Sequence, residues 1–273
     1  MKLLLLDERY PRELLAGFEV VTSPQEDVVA VLTMPEHPVG LDLCAQLPAL
    51  RAVGTATVGF DHVDVPDGVA VVSVPDYCTE EVADHTVALM LALLRGIVPL
   101  SSGPWDAKAA GPLRVVRGLR VGIVGLGRIG SAVAMRVRAL GCEVLAQDIR
   151  PIDGGVSLPT LLAESDVVTL HVPLTRETRG LIGRDELALL KPDALLINTA
   201  RGAVVDLDAL LDALRHGRLG GAALDVLPNE PPPVRPVAPN LIVTPHAAYY
   251  SPEAEERSYR MCVARVREVL GSA

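Results

Sequence analysis

The stretch Val121-Gly122-Ile123-Val124-Gly125-Leu126-Gly127-Arg128-Ile129-Gly130 leaves this chain few folds to choose from. A short apolar run breaks directly into G-x-G-x-x-G, and residues patterned as a helix follow to about Leu140. In such a strand–turn–helix the first glycine permits the tight turn. The second lets backbone approach a pyrophosphate, and the third lets helix and strand pack closely. Free amides at the helix start, here around Arg128 and Ile129, then face the phosphates. The motif alone is weak evidence, because glycine-rich turns are common. Its context strengthens it. An acid is expected about 20 residues on, at the end of the next strand, and Asp148 stands there after Glu143–Gln147. Its carboxylate can accept both ribose hydroxyls of NAD and would repel the 2′-phosphate of NADP. NAD is therefore the expected cofactor. Arg150 is the nearby group that could instead accept a phosphate.

Strands and helices alternate after this turn. Strands are expected at Arg120–Val124, Glu143–Gln147, Val167–Leu170, Ala194–Asn198, Ala222–Val226 and Leu241–Thr244, with helices between them. That rhythm predicts a parallel sheet covered on both faces. About 120 residues precede the turn, so a separate segment comes before the cofactor domain. It carries short buried-strand patterns at Leu3–Leu6, Val28–Leu32, Ala52–Val53 and Val69–Val74. A helix from Thr79 to Leu94 is expected to begin with Thr79 as cap and Glu80 and Glu81 in its first turn, where acids suit the helix dipole. Gly96 and Pro99 should end it, and Ser101–Gly118 reads as an irregular arm. A last helix should start at Ser251-Pro252.

Composition narrows the function. The net charge of −9 and the scarcity of aromatic residues argue against nucleic acid, which needs a basic footprint and often stacking rings. No basic amphipathic face suggests a membrane surface. The four leucines near the N-terminus are too few for a signal-peptide core. Cys44, Cys78, Cys142 and Cys262 are scattered, with neither a zinc spacing nor a disulfide framework. No metal is expected, and a reducing, cytoplasmic setting is.

Reduction of a 2-oxo acid needs a group to hold the carboxylate, one to polarise the C2 oxygen and one to protonate it. Arginine suits the first two tasks, and histidine, assisted by an acid, suits the third. Arg201, Glu230 and His246 each follow an expected strand end, where open α/β sheets bind ligands. His171, in Leu170-His171-Val172-Pro173, also follows a strand and competes with His246. Residue by residue, a surface or packing role is as good a reading of each.

From about Leu50 onward the chain resembles the D-isomer-specific 2-hydroxyacid dehydrogenases. The likeness rests on Gly59-Phe60-Asp61-His62-Val63-Asp64, on Val74–Asp84, on the glycine turn, on Leu170–Thr175, on Asn198-Thr199-Ala200-Arg201-Gly202 and on Thr244-Pro245-His246-Ala247-Ala248, all in order. The resemblance implies Arg201 as substrate-binding arginine, Glu230 as the acid that tunes the histidine, and His246 as proton donor. It implies backbone amides of Val58 and Gly59 for the substrate carboxylate. Val172, Pro173, Thr178, Thr199, Ala200 and Asp225 would line the cofactor, with Asp225 near the nicotinamide amide and His171 on the cofactor side. The implied fold is two Rossmann/flavodoxin-like α/β lobes. An NAD-binding domain, residues 97–246, is inserted into a discontinuous substrate domain, residues 1–96 and 247–273. A homodimer through the cofactor lobe is implied as well. The sequence leaves open two rivals. One is an NAD-responsive binding protein with little turnover, since Ala247–Ser251 also resembles the related co-repressor branch. The other is a dehydrogenase with an unusual donor such as phosphite.

Overall fold

Leu3-Leu4-Leu5 and Val28–Thr33 are almost wholly buried. Strands apolar on both faces belong in the middle of a parallel sheet, and that is where they lie. In the computed structural model, which describes residues 1–271, the first sheet holds β1 (Lys2–Leu5), β2 (Glu19–Val21), β3 (Val28–Thr33), β4 (Ala52–Thr55) and β5 (Ala70–Val72). Their order is β2-β1-β3-β4-β5, all parallel. Leu4, Val28, Val31, Val39, Leu47 and Val53 form a core beside the short helix α1 (Leu41–Cys44). The C-terminal helix, Pro252–Leu270, packs on β4 and buries Tyr259, Cys262, Val263 and Val266. Ser251 caps it by accepting from the Ala254 amide at 3.0 Å, as the sequence suggests. Buried Tyr10 ties two strand ends together: its hydroxyl accepts from the Ala56 amide at 3.0 Å and donates to the Thr33 carbonyl at 3.1 Å.

The second unit contains α2 (Thr79–Leu94), α3 (Ile97–Ser102), β6 (Arg120–Val124), α4 (Arg128–Ala139), β7 (Glu143–Gln147), α5 (Leu158–Glu164) and β8 (Val167–Leu170). It continues with α6 (Arg184–Leu189), β9 (Leu195–Asn198), α7 (Leu207–Arg215), β10 (Gly221–Leu224) and β11 (Leu241–Val243). The six strands are parallel, in the order β11-β10-β9-β8-β6-β7. The chain builds outward from β6 in both directions, so the switch point lies between β6 and β8, where a crevice for ligand is expected.

Two expectations need correction. The boundary at residues 96 and 97 is misplaced: the compact units are Met1–Cys78 with the chain from Tyr250, and Thr79–Tyr249. Helix α2 joins the second unit because Ala83, Leu89, Met90, Leu93 and Leu94 share a core with Val121, Ile123, Val133 and Val137. Its apolar stripe announces burial without saying against which sheet. Pro99 also does not stop helix formation. Gly96 ends α2 with φ +57°, and Pro99 then sits in the first turn of α3, where a missing N–H breaks no helical bond. Residues beyond α3 are irregular as expected. Arg114 anchors their end through Asp166 at 3.2 Å and Asp193 at 3.3 Å. Among the described residues, no helix is long and apolar enough to cross a membrane.

Candidate active site

The glycine turn closes against the neighbouring strand end. Gly125 has φ +92°, and a Cβ there would lie 2.6 Å from the His171 carbonyl oxygen, while one on Gly130 would strike the Gly125 carbonyl. Only glycine fits either place. Gly127 differs, because nothing lies within 4 Å of where its Cβ would stand. It caps α4 without any side-chain hydrogen bond, so the helix start is left uncovered. This open, positive helix end fits the pyrophosphate of a dinucleotide. Asp148 completes the turn: its carboxylate accepts from the Leu126 amide at 2.8 Å and the Arg150 amide at 2.9 Å. The Arg150 amide leads in holding this carboxyl below its usual range, outweighing burial, with Leu126 and the Arg150 side chain assisting.

At the end of β9, Asn198 is fully buried and builds the next loop. It accepts from the Ala200 amide at 3.0 Å and donates to the Arg201 carbonyl at 2.9 Å. Arg201 in turn donates to the Ala200 carbonyl at 2.8 Å. Gly202 lets this loop lie directly on another, since a Cβ there would run into the backbone of Leu227 and Pro228. That second loop carries Glu230, whose Oε1 accepts from the Leu227 amide at 2.6 Å. Its Oε2 lies 2.6 Å from His246 Nδ1. Burial alone would raise the Glu230 pKa. The His246 ring, the Leu227 amide and the positive charge of Arg201 reverse that and hold it below the usual range. The structure thus gathers Arg201, Glu230 and His246.

His246 has φ +52°, in the left-handed region, and its amide donates to the Asp225 carbonyl at 2.7 Å. Asp225 is almost fully buried. Its Oδ1 accepts from Thr244 Oγ1 at 2.5 Å and the Ala247 amide at 2.9 Å, and its Oδ2 accepts from the Ala248 amide at 2.9 Å. Asp225 therefore braces the His246 turn from both sides, a role the sequence reading did not assign. Asn198, Gly202 and Thr244 were also passed over. Their sequence signals are their places beside strand ends and within the segments that carry the family resemblance. The ring of Tyr249 meets that of His246 edge-on, with centroids 6.1 Å apart. His171, the competing histidine, lies 2.9 Å from Thr169 Oγ1, and desolvation pushes its pKa down to about 3. Such a ring is neutral near pH 7 and has no acidic proton to give.

Other residues expected at the cofactor also lie in loops that follow strands. Val172 is half-buried and Pro173 exposed, beyond the end of β8. The Thr178 hydroxyl donates to the Pro173 carbonyl and accepts from the Thr175 amide, so it holds its own loop. The Thr199 hydroxyl meets Thr86 Oγ1 on α2 at 2.9 Å. On the first unit, Val58 and Gly59 follow β4 in a half-buried loop pinned by Thr57 Oγ1, which donates to the Gly59 carbonyl at 2.6 Å.

A parallel sheet with a glycine turn at its switch point and an acid at the next strand end defines a nucleotide-binding α/β enzyme domain. Residues 87–248 match the model of the D-isomer specific 2-hydroxyacid dehydrogenase, NAD binding domain. The glycerate dehydrogenase of Methylorubrum extorquens is 42% identical over 254 residues, covering 86% of this chain and 80% of that protein. Among solved structures, D-lactate dehydrogenase from Aquifex aeolicus, complexed with NAD and lactic acid, superposes with a TM-score of 0.85 at 30% identity. It covers 99% of this chain and 97% of the other. An NADPH-dependent glyoxylate/hydroxypyruvate reductase from Sinorhizobium meliloti, in complex with NADP and malonate, superposes with a TM-score of 0.86 at 31% identity, covering 98% and 93%. The chain belongs to the D-isomer specific 2-hydroxyacid dehydrogenase family. It is an NAD-dependent 2-hydroxyacid dehydrogenase.

Proposed function

We propose that this enzyme reduces a small 2-oxo acid, glyoxylate or hydroxypyruvate, with Arg201 holding the substrate and the His246–Glu230 pair supplying the proton. The observation that carries the reading is the 2.6 Å contact between His246 Nδ1 and Glu230 Oε2, with the Arg201 charge acting on the same carboxylate. Glu230 engages Nδ1, so Nε2 is the nitrogen that gives its proton to the C2 oxygen. The Glu230 carboxylate holds the ring through Nδ1 and leaves Nε2 for the substrate. The Arg201 fork suits a carboxylate and a carbonyl oxygen together. Val58 and Gly59 are the proposed carboxylate-binding amides of the first unit. Bound NADH supplies the hydride. Gly125, Gly127, Gly130 and the start of α4 would hold its pyrophosphate, and Asp148 its ribose. The choice of substrates leans on the names of the glycerate dehydrogenase and glyoxylate/hydroxypyruvate reductase relatives. A carboxylate held ionised at the ribose position disfavours a 2′-phosphate, so NADH is the preferred donor. The test is a screen of NADH and NADPH oxidation with glyoxylate, hydroxypyruvate, pyruvate and larger 2-oxo acids. A kcat/KM for NADH about tenfold or more above that for NADPH is expected, since a repelled phosphate readily costs ~1.4 kcal/mol. Equal use of NADPH would mean that Arg150 governs the site. No turnover with any 2-oxo acid would favour the binding-protein reading.

The assembly proposed is a homodimer through the second unit. Its support is an arm that exposes Ile97, Val98, Val115 and a fully exposed Trp105, together with a groove lined by Val87, Ala88, Leu91, Ala139 and Leu140 and by the Asp84–Arg136 ion pair. A two-fold axis would let the arm of each copy cover the groove of the other. Trp105 is the single tryptophan, so its emission reports on the arm directly. Sedimentation should give a dimer at micromolar concentration, and dilution to monomer should shift the emission to the red. A monomer at every concentration would reject the arrangement.

A further inference from the structure

Helix α2 sends two adjacent side chains beneath the candidate catalytic loops. Thr86 Oγ1 reaches Thr199 Oγ1, two residues before Arg201. His85 Nε2 lies 3.2 Å from Thr244 Oγ1 and 3.6 Å from Asp225 Oδ1. Counting protons orients the second contact. A hydroxyl has one hydrogen, and an ionised carboxylate can only accept. Thr244 gives its hydrogen to Asp225 at 2.5 Å. The Thr244 oxygen must then accept from His85, so Nε2 carries a proton whether the His85 ring is neutral or charged. The Asp225 side chain is fully buried, and among the described residues His85 is its one ion-pair partner within 4 Å. Removing support from a buried carboxylate is costly. This same carboxylate holds the amides of Ala247 and Ala248, and its residue's carbonyl holds the His246 amide.

We infer that His85 is a positioning residue for proton transfer. Through its Nε2–H it fixes Thr244 and Asp225, and they fix the left-handed turn that keeps His246 Nδ1 on Glu230. His85 acts through His246 and not on the substrate. The inference rests on His246 being the proton donor.

The test is steady-state reduction of a 2-oxo acid by NADH with the full chain. The variants are His85→Ala, His85→Gln, Thr244→Val, the double variant His85→Ala/Thr244→Val, and His246→Gln. His85→Ala should lower kcat by about 10- to 100-fold, the range for a lost hydrogen bond to a charged network, while KM for NADH moves less than about threefold. His85→Gln can still donate to Thr244 and should recover most of the rate. Because both groups act along one path, the double variant should be no worse than Thr244→Val alone. Wild-type kcat in His85→Ala, or a Gln variant as damaged as Ala alongside an additive double variant, overturns the inference. His246→Gln separates the two failures. If it is fully active, the proton-donor reading fails. If it is inactive while His85→Ala is normal, only the role of His85 fails.

Discussion

His246→Gln is expected to lower kcat for 2-oxo acid reduction by about 10²–10⁴-fold, the usual contribution of a positioned acid–base group. NADH should still bind, because the glycine turn and Asp148 lie on other loops of the unit. The amide side chain has no proton near the acidity the reaction needs, although it can still reach Glu230. The His246 backbone at φ +52° complicates any substitution. Asn tolerates the left-handed region better than most residues, so His246→Asn controls for damage to the turn. Both variants should lose turnover to a similar degree while NADH titration, followed by fluorescence, stays near wild type. A variant within about threefold of the wild-type rate would remove His246 from the mechanism. The histidine at 171 could not replace it, because burial keeps that ring neutral.

The turn, the acid and the alternating strands were legible in the sequence because each is local. Gly125 to Asp148 spans one strand–helix–strand unit, and its pattern specifies the fold around it. Edge strand β2 was not legible: Glu19–Val21 is short and half-exposed, with no buried face to mark it. The side on which α2 docks was hidden for a different reason. Helical periodicity reports that Leu89 and Leu93 are buried, not which sheet covers them.

The same division runs through the site. Arg201, Glu230 and His246 could be proposed from their places after strand ends. What holds them could not. Asp225 and Thr244 meet across parallel strands β10 and β11, and His85 reaches Thr244 from far back in the chain. Gly202 looks like an ordinary loop glycine until Leu227 and Pro228 are placed against it. Its close approach sets the Arg201 loop on the Glu230 loop, which explains how one carboxylate responds to both Arg201 and His246.

Glu230→Gln should separate the charge of that carboxylate from its shape. Burial would raise the Glu230 carboxyl, and the 2.6 Å contact with His246 Nδ1 leads the influences that hold it below its usual range instead. Reduction spends one proton from the His246–Glu230 pair, so activity should fall on the alkaline side. Without the carboxylate charge the His246–Glu230 pair holds that proton less well, and the alkaline limb of kcat/KM for reduction should move down. The loss should accordingly be largest on the alkaline side of the profile and shrink towards its acidic end. Oxidation of the 2-hydroxy acid gives the opposite sign, because it needs the neutral ring as base. Its acidic limb should also move down, so the variant should gain relative activity at low pH in that direction. General damage to the fold would depress both directions at every pH. The measurement is the pair of pH profiles, reduction and oxidation, for wild type and Glu230→Gln. Unmoved limbs in both would show that Glu230 positions the ring without charging it, and limbs moving upward would reverse the assigned electrostatics.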